Sequence, residues 1–340
     1  MTPYDLLLPL ASLMVAMLGT EILRRYALSH GVLDLPNARS SHERPTPRGG
    51  GLAVVAAFLL ALGWLRADGA LSLADWAGLG GGSLILAAAG FADDHRPLSA
   101  GLRMALHLFA AAWALCLLGR GLSVDFGLFR LHQPWLIYPL GAMVIVWSVN
   151  LFNFMDGIDG IAGSQAVFVA CGTTLWLAAA GATPGWVLAA LALAAASGGF
   201  LTRNWPPAKI FMGDAGSGFL GFALAALMIG GVAHFGASPW PWLILIGAFF
   251  VDATYTLFHR LRRGVRLAEA HRSHAYQILS RRWGGHRPVT LACIAVNLLW
   301  LAPLAAAAAY WPSYGFLLWG LAMLPLLVLA WRTDAGGAHG

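Results

Sequence analysis

Apolar runs of about 20 residues recur along this 340-residue chain and restrict how it can fold. Eleven such runs lie approximately at residues 4–24, 49–66, 73–92, 101–119, 134–152, 161–180, 184–202, 216–235, 240–258, 289–310 and 314–331. A helix of about 20 apolar residues spans the hydrocarbon core of a bilayer, where backbone polar groups must be satisfied within the protein. With 59% hydrophobic and 11% charged residues, the chain also has too little polar surface to cover a soluble globule.

These runs predict an all-α fold: a polytopic membrane helical bundle that forms one domain over residues 1–340. We expect about 11 transmembrane helices. The number could be 10, because glycine or small residues interrupt the second, third and seventh runs. The cysteines Cys116, Cys171 and Cys293 lie inside apolar runs, so we expect them to pack in the bundle rather than to form disulfides or a metal site.

The basic residues predict the orientation, because the side richer in Lys and Arg stays in the cytoplasm. If the N-terminus is outside, 18 of the 21 Lys and Arg residues fall on the inner side, and the C-terminus is cytoplasmic. Dropping one span would invert every later loop and destroy this bias. We therefore expect the active site to be formed by cytoplasmic loops at about residues 25–48, 93–100, 153–160, 203–215 and 259–288.

Five aspartates fall on this inner side within polar motifs. Asp93 and Asp94 lie in FADDHRPLSAG, Asp156 and Asp159 in NLFNFMDGIDGIAG, and Asp214 in KIFMGDAGSG. Each motif alone has an ordinary explanation: a DG turn, a helix N-cap or a solvated loop. Carboxylates gathered near a membrane interface repel one another and are costly to desolvate, so they usually need a cation or a substrate. Their convergence on one side favours a functional site.

Hard oxygen ligands from Asp and Asn, without cysteine, are typical of Mg²⁺ or Mn²⁺ sites that are completed by water and substrate phosphates. The DGIDG motif lacks the ligand pattern of a calcium EF-hand. Zinc would prefer histidine ligands.

Two basic segments accompany the aspartates. In the loop before the tenth run, His271 and His274 are three residues apart, which predicts a shared helix face that could bind phosphate or could pack as ordinary polar residues. In the first inner loop, His42 and Arg48 precede a triple glycine. Its backbone amides could approach a phosphate, or the glycines could form a flexible hinge.

Taken together, the motifs resemble a known family. LDLPNARSSHERPTPRGGG, DDHRPLS, NxxNxMDGIDGIAG, FMGDAGS and HRSHAYQ occur in this order over about residues 30 to 285. They resemble the polyprenyl-phosphate N-acetylhexosamine-1-phosphate transferases, also called glycosyltransferase family 4. The HRSHAYQ form looks more like the O-antigen-initiating branch than the peptidoglycan enzyme, whose corresponding loop is a run of histidines.

The resemblance implies an enzyme of the bacterial inner membrane with a cytoplasm-facing site. Such an enzyme transfers a sugar-1-phosphate from a UDP-N-acetylhexosamine to undecaprenyl phosphate, releases UMP, and initiates a lipid-linked cell-surface glycan such as O-antigen or lipopolysaccharide. It requires Mg²⁺, for which Mn²⁺ could substitute. Membrane lipids and a second copy of the chain are expected partners, and nucleic acid is not.

The resemblance also assigns roles to residues. Asp214 would be the principal Mg²⁺ ligand, while Asp156 and Asp159 order the metal and the nucleotide with help from Asn153. Asp93 and Asp94 would accept the proton of the lipid phosphate or hold the metal. His271, Arg272 and His274 would contact the diphosphate, and Arg48 and His42 would also bind substrate. Arg103, at the inner end of the fourth run and nine residues past Asp94, could contact the lipid phosphate or could be an interfacial anchor.

Two alternatives stay open at this point. Asp252, two turns inside the ninth run, is either functional or makes a hydrogen bond between helices. An ion-coupled transporter or flippase would also carry membrane acids, but such a protein is expected to have them near the midplane on discontinuous helices, within an inverted repeat. Here the acids cluster at one interface, and no such repeat is evident in the sequence.

Overall fold

The computed structural model describes residues 6–35, 45–265 and 271–337, and nearly all of this chain is helical. The α-helices are α1 (Leu7–His30), α2 (Gly51–Ala67), α3 (Leu73–His95), α4 (Ala100–Leu118), α5 (Pro134–Phe154), α6 (Ile161–Ala179), α7 (Pro184–Asn204), α8 (Asp214–Phe235), α9 (Trp240–Leu245), α10 (Gly247–Arg262), α11 (Ala275–Arg282), α12 (His286–Val296), α13 (Ala302–Tyr310) and α14 (Gly315–Arg332). A π-helical turn, Asn297–Leu301, joins α12 to α13.

A multi-pass membrane protein is confirmed by the length and composition of these helices. Among the described residues, eight helical segments are long and apolar enough to cross a bilayer: α1, α4 to α8, the continuous stretch His286–Tyr310, and Pro312–Arg332. The other three predicted spans coincide with α2, which is apolar but shorter, with α3, and with the α9–α10 pair. The total of 11 spans and the orientation of the termini stay predictions.

Two short β-ribbons depart from the all-α prediction. Leu33–Asp34 (β1) pairs antiparallel with Thr46–Pro47 (β2), and Val124–Asp125 (β3) pairs with Arg130–Leu131 (β4). Strands of two residues are too short to show the alternation of apolar and polar side chains by which a strand is recognised in a sequence.

The β2 ribbon positions the first inner loop. Beyond β2, the Phe211 N–H donates to the Pro47 carbonyl at 2.8 Å, and the N–H groups of Gly50 and Gly51 donate to the carbonyls of Phe211 and Met212 at 2.9 Å. The interpretation of the triple glycine as a phosphate cradle is therefore wrong for Gly50 and Gly51, whose amides are already bonded. These bonds instead fasten residues 47–51 to the segment that leads into α8.

Helix α8 forms the centre of the bundle. Every residue from Ala215 to Val232 is buried, which fits a helix that is apolar on all sides. α8 packs against α3 and α5 and also contacts α2 and α6. Small residues allow the closest approaches: a Cβ on Gly51 of α2 would overlap the Gly216 Cα, and a Cβ on Gly90 of α3 would overlap the backbone at Asp214. The backbones at the start of α8 are thus packed without intervening side chains.

This packing predicts that Gly51→Ala destabilises the protein. The added methyl would meet backbone and would lie only 2.9 Å from the Met212 carbonyl oxygen, so the start of α2 must move. Overpacking typically costs about 1–3 kcal/mol, and we expect a clear drop in the melting temperature in detergent. Gly63→Ala on the same helix is the control, because a Cβ there has nothing within 4 Å. Equal melting temperatures for the two variants would contradict the close approach.

Candidate active site

A cavity of about 500 Å³ lies where α3 and α5 end and where α4, α8 and α11 begin. This volume is in the range of small-molecule sites. Its lining brings together side chains from four separate sequence motifs: Asp93, Arg103, Asn153, Asp156, Asp214, His271 and His274. Residues more than 170 positions apart in the sequence therefore share one cavity, as the convergence argument predicts.

Asp94, Arg48 and Asp214 form a linked cluster beside this cavity. The Asp94 carboxylate accepts the backbone N–H groups of Asp214 at 3.0 Å and Ala215 at 3.3 Å, so it caps the N-terminus of α8. The Arg48 guanidinium lies 2.5 Å from Asp94 and 3.3 Å from Asp214. Burial lowers the pKa of Arg48, but nearby carboxylates, chiefly Asp94 and Asp214, offset that effect and raise the pKa overall. Arg48 is thus held as a fixed positive charge between two aspartates.

Asp93, in contrast, contacts the turn after α3 and helix α4. One carboxylate oxygen accepts the Leu98 N–H at 2.6 Å, and the other pairs with Arg103 at 3.0 Å. These contacts close the turn between α3 and α4 and leave Asp93 on the cavity wall with Arg103. The adjacent aspartates of DDHRPLS therefore have different surroundings: Asp94 is tied to α8, and Asp93 to α4.

Asp156 lies half-buried on the cavity wall, just beyond the end of α5. Burial raises its pKa well above the usual range, and the negative charge of Asp214 raises it further. Within the described part of the chain, Asp156 makes no side-chain hydrogen bond or ion pair. Asn153, one turn earlier, donates to Ser217 Oγ at 3.3 Å and also hydrogen-bonds the Asp214 carboxylate. The last turn of α5 and the residues after it thus supply the Asn153 amide and the Asp156 carboxyl group, whose pKa is raised.

Asp159 lies outside the cavity lining and joins its own loop to the loop before α8 and to the start of α12. Its carboxylate accepts the Ala208 N–H at 2.9 Å and lies 3.1 Å from His286 Nδ1, and its carbonyl accepts the Thr290 hydroxyl at 2.8 Å. These partners belong to the loop before α8 and to the start of α12. In this conformation Asp159 holds the loop that carries Asp156.

His271 and His274 both line the cavity, but the shared helix face predicted for them is wrong. α11 begins only at Ala275, and His274 is its N-cap, so both histidines precede the helix. Their rings are 4.9 Å apart. Burial lowers the pKa of His271 to about 4, with further contributions from His274 and Arg260, so His271 is neutral at pH 7. Arg272 is not in the lining, and its carbonyl accepts a bond from Arg281.

Asp252 explains why this segment is ordered. From α10, its carboxylate accepts the N–H groups of Ala275 and Tyr276, both at 2.9 Å, and lies 3.3 Å from His274 Nδ1. It therefore makes contacts between helices and caps α11, which places it among residues that position the site. His42 lies outside the described residues.

Comparison with known proteins is consistent with these motifs. The profile of glycosyl transferase family 4 matches residues 76–232. The chain is 31% identical to phospho-N-acetylmuramoyl-pentapeptide-transferase of Prochlorococcus marinus (strain MIT 9313) over 268 residues, 72% of this chain and 68% of that protein. This chain belongs to glycosyl transferase family 4. The resemblance seen in the motifs is confirmed, while the O-antigen branch stays a prediction.

Two other members of family 4 match over more of the chain. The probable undecaprenyl-phosphate N-acetylglucosaminyl 1-phosphate transferase of Bacillus subtilis (strain 168) is 29% identical over 300 residues, 85% of this chain and 81% of the relative. The undecaprenyl-phosphate alpha-N-acetylglucosaminyl 1-phosphate transferase of Escherichia coli (strain K12) is 28% identical over 277 residues, 76% of this chain and 71% of the relative.

The carboxylates of this family 4 chain suit a hard divalent cation that is shared with a substrate. Among the described residues, no group of three or more His, Cys, Asp or Glu is arranged to hold a metal ion by itself. Asp156 and Asp214 both line the cavity, and the negative charge of Asp214 raises the cost of ionising Asp156. Two half-buried carboxylates that share a cavity fit Mg²⁺, which usually takes one or two protein carboxylates and fills its other positions with water and phosphate.

Sequence reasoning missed His107 as a lining residue. His107 lies on α4 four residues after Arg103, hence on the same helix face, and both line the cavity. Its Nδ1 is buried without a hydrogen-bond partner among the described residues. The spacing of four from an interfacial arginine was the available signal. Asn150, Tyr276 and Gln277, which lie within or beside the quoted motifs, also line the cavity.

The Arg48 cluster gives a prediction about stability. Arg48→Gln leaves Asp94 and Asp214 facing each other without their shared cation. We expect the free energy of unfolding to fall by about 2 kcal/mol. This is less than the cost of breaking a fully buried pair, because the Arg48 side chain is 34% exposed. Arg130→Gln is the control, since its pair with Asp125 has a similar distance of 2.9 Å but Arg130 is 65% exposed. Thermal unfolding in detergent measures both. A loss no larger in Arg48→Gln than in Arg130→Gln would contradict the structural role of Arg48.

Proposed function

We propose that this protein transfers an N-acetylhexosamine-1-phosphate from a UDP-sugar to undecaprenyl phosphate and releases UMP. The observation that carries this proposal is the cavity in which Asp93, Asp156 and Asp214 meet Arg103 and two histidines at one end of a membrane bundle. The names of the relatives in Bacillus subtilis and Escherichia coli support undecaprenyl phosphate as the acceptor and N-acetylhexosamine as the sugar class.

In the proposed reaction, one bond between phosphorus and oxygen forms and one breaks. An oxygen of the acceptor phosphate attacks the β-phosphorus of the UDP-sugar. The bond from that phosphorus to the bridging oxygen breaks, and UMP leaves with the electron pair. The bond between the sugar and its phosphate stays intact, so the product is a lipid diphosphate sugar. Two polyanions must approach each other, and neutralising and positioning them supplies most of the catalysis.

Asp214 and Asp156 would hold Mg²⁺, or Mn²⁺ in its place, and Asn153 would orient the Asp214 carboxylate. The bound ion would neutralise charge on the diphosphate as a Lewis acid. Asp159 would act by holding the loop of Asp156 against the segment that precedes α8. This role is closer to ordering the site than to direct ligation, since both of its carboxylate oxygens already have partners.

Asp93 and Arg103 would receive the acceptor phosphate on the α4 side of the cavity. Arg103 offers a charge-assisted donor, and Asp93 is the candidate acceptor for a phosphate proton. A lipid monophosphate near neutral pH is already largely ionised, because its second pKa is about 6. The proton therefore need not be removed by a strong base. Asp94 and Arg48 would fix the start of α8 and add positive charge nearby.

The donor diphosphate would lie on the side of His271, Arg272 and His274. Because His271 is neutral at pH 7, it would contribute a hydrogen bond rather than a positive charge. His42, in the first inner loop, would contribute to the same basic surroundings.

We also propose that the site faces the cytoplasm of a bacterial inner membrane, with 11 spans and the N-terminus outside. The distribution of Lys and Arg along the sequence supports this orientation. The product would begin a lipid-linked cell-surface glycan of the O-antigen type. The HRSHAYQ form of the histidine loop supports that branch.

The test is a reconstituted assay. The purified protein, in detergent, is given undecaprenyl phosphate and a panel of UDP-N-acetylhexosamines with and without Mg²⁺, and both UMP and the lipid product are followed. Mg²⁺-dependent formation of UMP and a lipid diphosphate sugar in equal amounts supports the transferase and names its donor. If the folded protein gives no product with any donor, the proposal fails and an ion-coupled transporter or flippase gains weight.

Asp214→Asn should nearly abolish turnover. The amide keeps the shape of the carboxylate but lacks its charge. Removing a residue that only hydrogen-bonds to a metal ligand typically lowers activity by about 10- to 100-fold, and turnover of Asp214→Asn should fall by more than that. Asp125→Asn, on the β3–β4 ribbon and remote from the cavity, is the matched control. Turnover by Asp214→Asn equal to that of the control at limiting Mg²⁺ would remove Asp214 from the metal site.

His271→Ala should raise the KM for the UDP-sugar by about tenfold or more, the range expected for one hydrogen bond to a charged group. His271→Gln keeps a side-chain donor and should lie between the alanine variant and the unchanged protein. Steady-state kinetics at saturating lipid acceptor measure this order. Unchanged kinetics in both variants would return His271 to a packing role.

A further inference from the structure

The last described residues of the chain form a hydrogen-bonded turn. After α14, Asp334 has a left-handed backbone with φ of 55°, and the Ala335 N–H donates back to the Ala330 carbonyl at 3.1 Å. This pattern is the six-residue closure of a Schellman helix end. The Ala335 side chain is fully buried, and Thr333 is nearly so. We call Thr333–Gly337 the C-terminal turn.

The C-terminal turn contacts the segment that carries the cavity histidines. The Gly336 N–H donates to the Ser273 carbonyl at 2.8 Å. Ser273 is buried, with 3% exposure, and lies between His271 and His274 in sequence. Its hydroxyl is 3.0 Å from His271 Nδ1. A backbone bond therefore links the end of the chain to the middle of the histidine segment.

Only glycine fits at position 336. Its φ of +82° lies in the left-handed region, and a Cβ would lie 2.7 Å from the Thr256 carbonyl oxygen and 3.3 Å from His259 Cβ on α10. The side chain of the same Thr256 donates to the Asp252 carboxylate at 3.2 Å. Gly336 thus packs on the part of α10 that also caps α11.

Besides the bond from Arg281 to the Arg272 carbonyl, two groups of contacts hold the histidine segment from different sides. Asp252 holds its end, at His274 and the first amides of α11, while Gly336 holds its middle at Ser273. The segment has no regular secondary structure over residues 271–273 to fix its own backbone. Its position in the cavity must therefore come from such tertiary bonds.

We propose that the C-terminal turn is a positioning element of the active site, which places His271 and His274 by fixing the Ser273 backbone through Gly336. The residues of the turn are not part of the cavity lining. The turn acts through the histidine segment, which it holds at Ser273. The kinetic consequence rests on the transferase function proposed above, whereas the structural consequence does not.

Gly336→Ala tests the proposal in the full-length protein in detergent. We expect amide hydrogen exchange at His274, Ala275 and Tyr276 to become about tenfold faster, the factor that corresponds to about 1.4 kcal/mol, within the range of one hydrogen bond. Exchange in α8 should not change, which separates a local effect from general destabilisation. The KM for the UDP-sugar should rise by a similar factor, because the donor side of the cavity is the side that is displaced.

Two alanine controls separate the contact from other effects of the substitution. Gly236→Ala has the same kind of strain, with φ of +62°, but a Cβ there has nothing within 4 Å. Gly320→Ala lies on α14 itself and also has open space. Both should change exchange at His274–Tyr276 and the KM by less than about twofold.

A variant that ends at Thr333 provides the second test, because it removes Gly336 without introducing a clash. If Gly336→Ala does not fold, this truncation should still show the faster exchange. Unchanged exchange at His274–Tyr276 in either folded variant overturns the proposal, even if the protein shows no transferase activity. Faster exchange with an unaltered KM in an active enzyme also overturns it, since the turn would then support the fold without positioning the site.

Discussion

The capping of α8 by Asp94 is the interaction on which the rest of the site depends. The N-terminus of a long buried helix presents unsatisfied N–H groups and a partial positive charge, and Asp94 satisfies two of these groups from the end of α3. Arg48 then balances the added negative charge and ties in the first loop. Because Asp214 is the first residue of α8, this one cap fixes a carboxylate of the cavity relative to three separate parts of the chain.

Other aspartates also accept backbone N–H groups, and this distinguishes them from Asp156. Asp252 caps α11, Asp93 closes the turn before α4, and Asp159 joins its loop to the loop before α8 and to α12. Each of these carboxylates is compensated by amides or side chains of the protein. Asp156 is different: it is half-buried on the cavity wall, and within the described ranges it has no hydrogen-bonded or ion-paired partner. Burial of a carboxylate without such partners is costly, and it raises the pKa of Asp156 well above the usual range. A cation that bridges protein and phosphate in the cavity would reduce that cost.

Eight membrane-spanning helices could be predicted from the sequence because long apolar runs directly indicate burial in lipid. The side of the membrane on which the five aspartates lie stays a prediction, because it depends on the total number of runs. The partners of these aspartates could not be predicted in the same way. Asp94 and the Asp214 amide are 120 residues apart, and no local pattern records a cap supplied by another helix. For the same reason Asp252 gave no sign of holding α11, and the histidine spacing suggested a helix one turn too early. The break between α9 and α10 also depends on tertiary structure, since Gln165 of α6 bonds the Leu245 carbonyl there.

The charge state of the cavity limits how the proposed reaction can work. His271 is uncharged at neutral pH because burial and its basic neighbours disfavour the imidazolium, so its ring adds no positive charge to the cavity. Neutralisation of the substrates in the proposed reaction would therefore come from Arg103 on the cavity wall, from Arg48 and Arg272 outside its lining, and from the divalent ion proposed at Asp156 and Asp214. A neutral imidazole would act through a directional hydrogen bond rather than through its charge. Such a bond is largely lost when the donor moves by about 1 Å. The histidines are thus the residues most sensitive to backbone position, and they lie on a segment whose position is set by contacts from α10 and from the C-terminal turn.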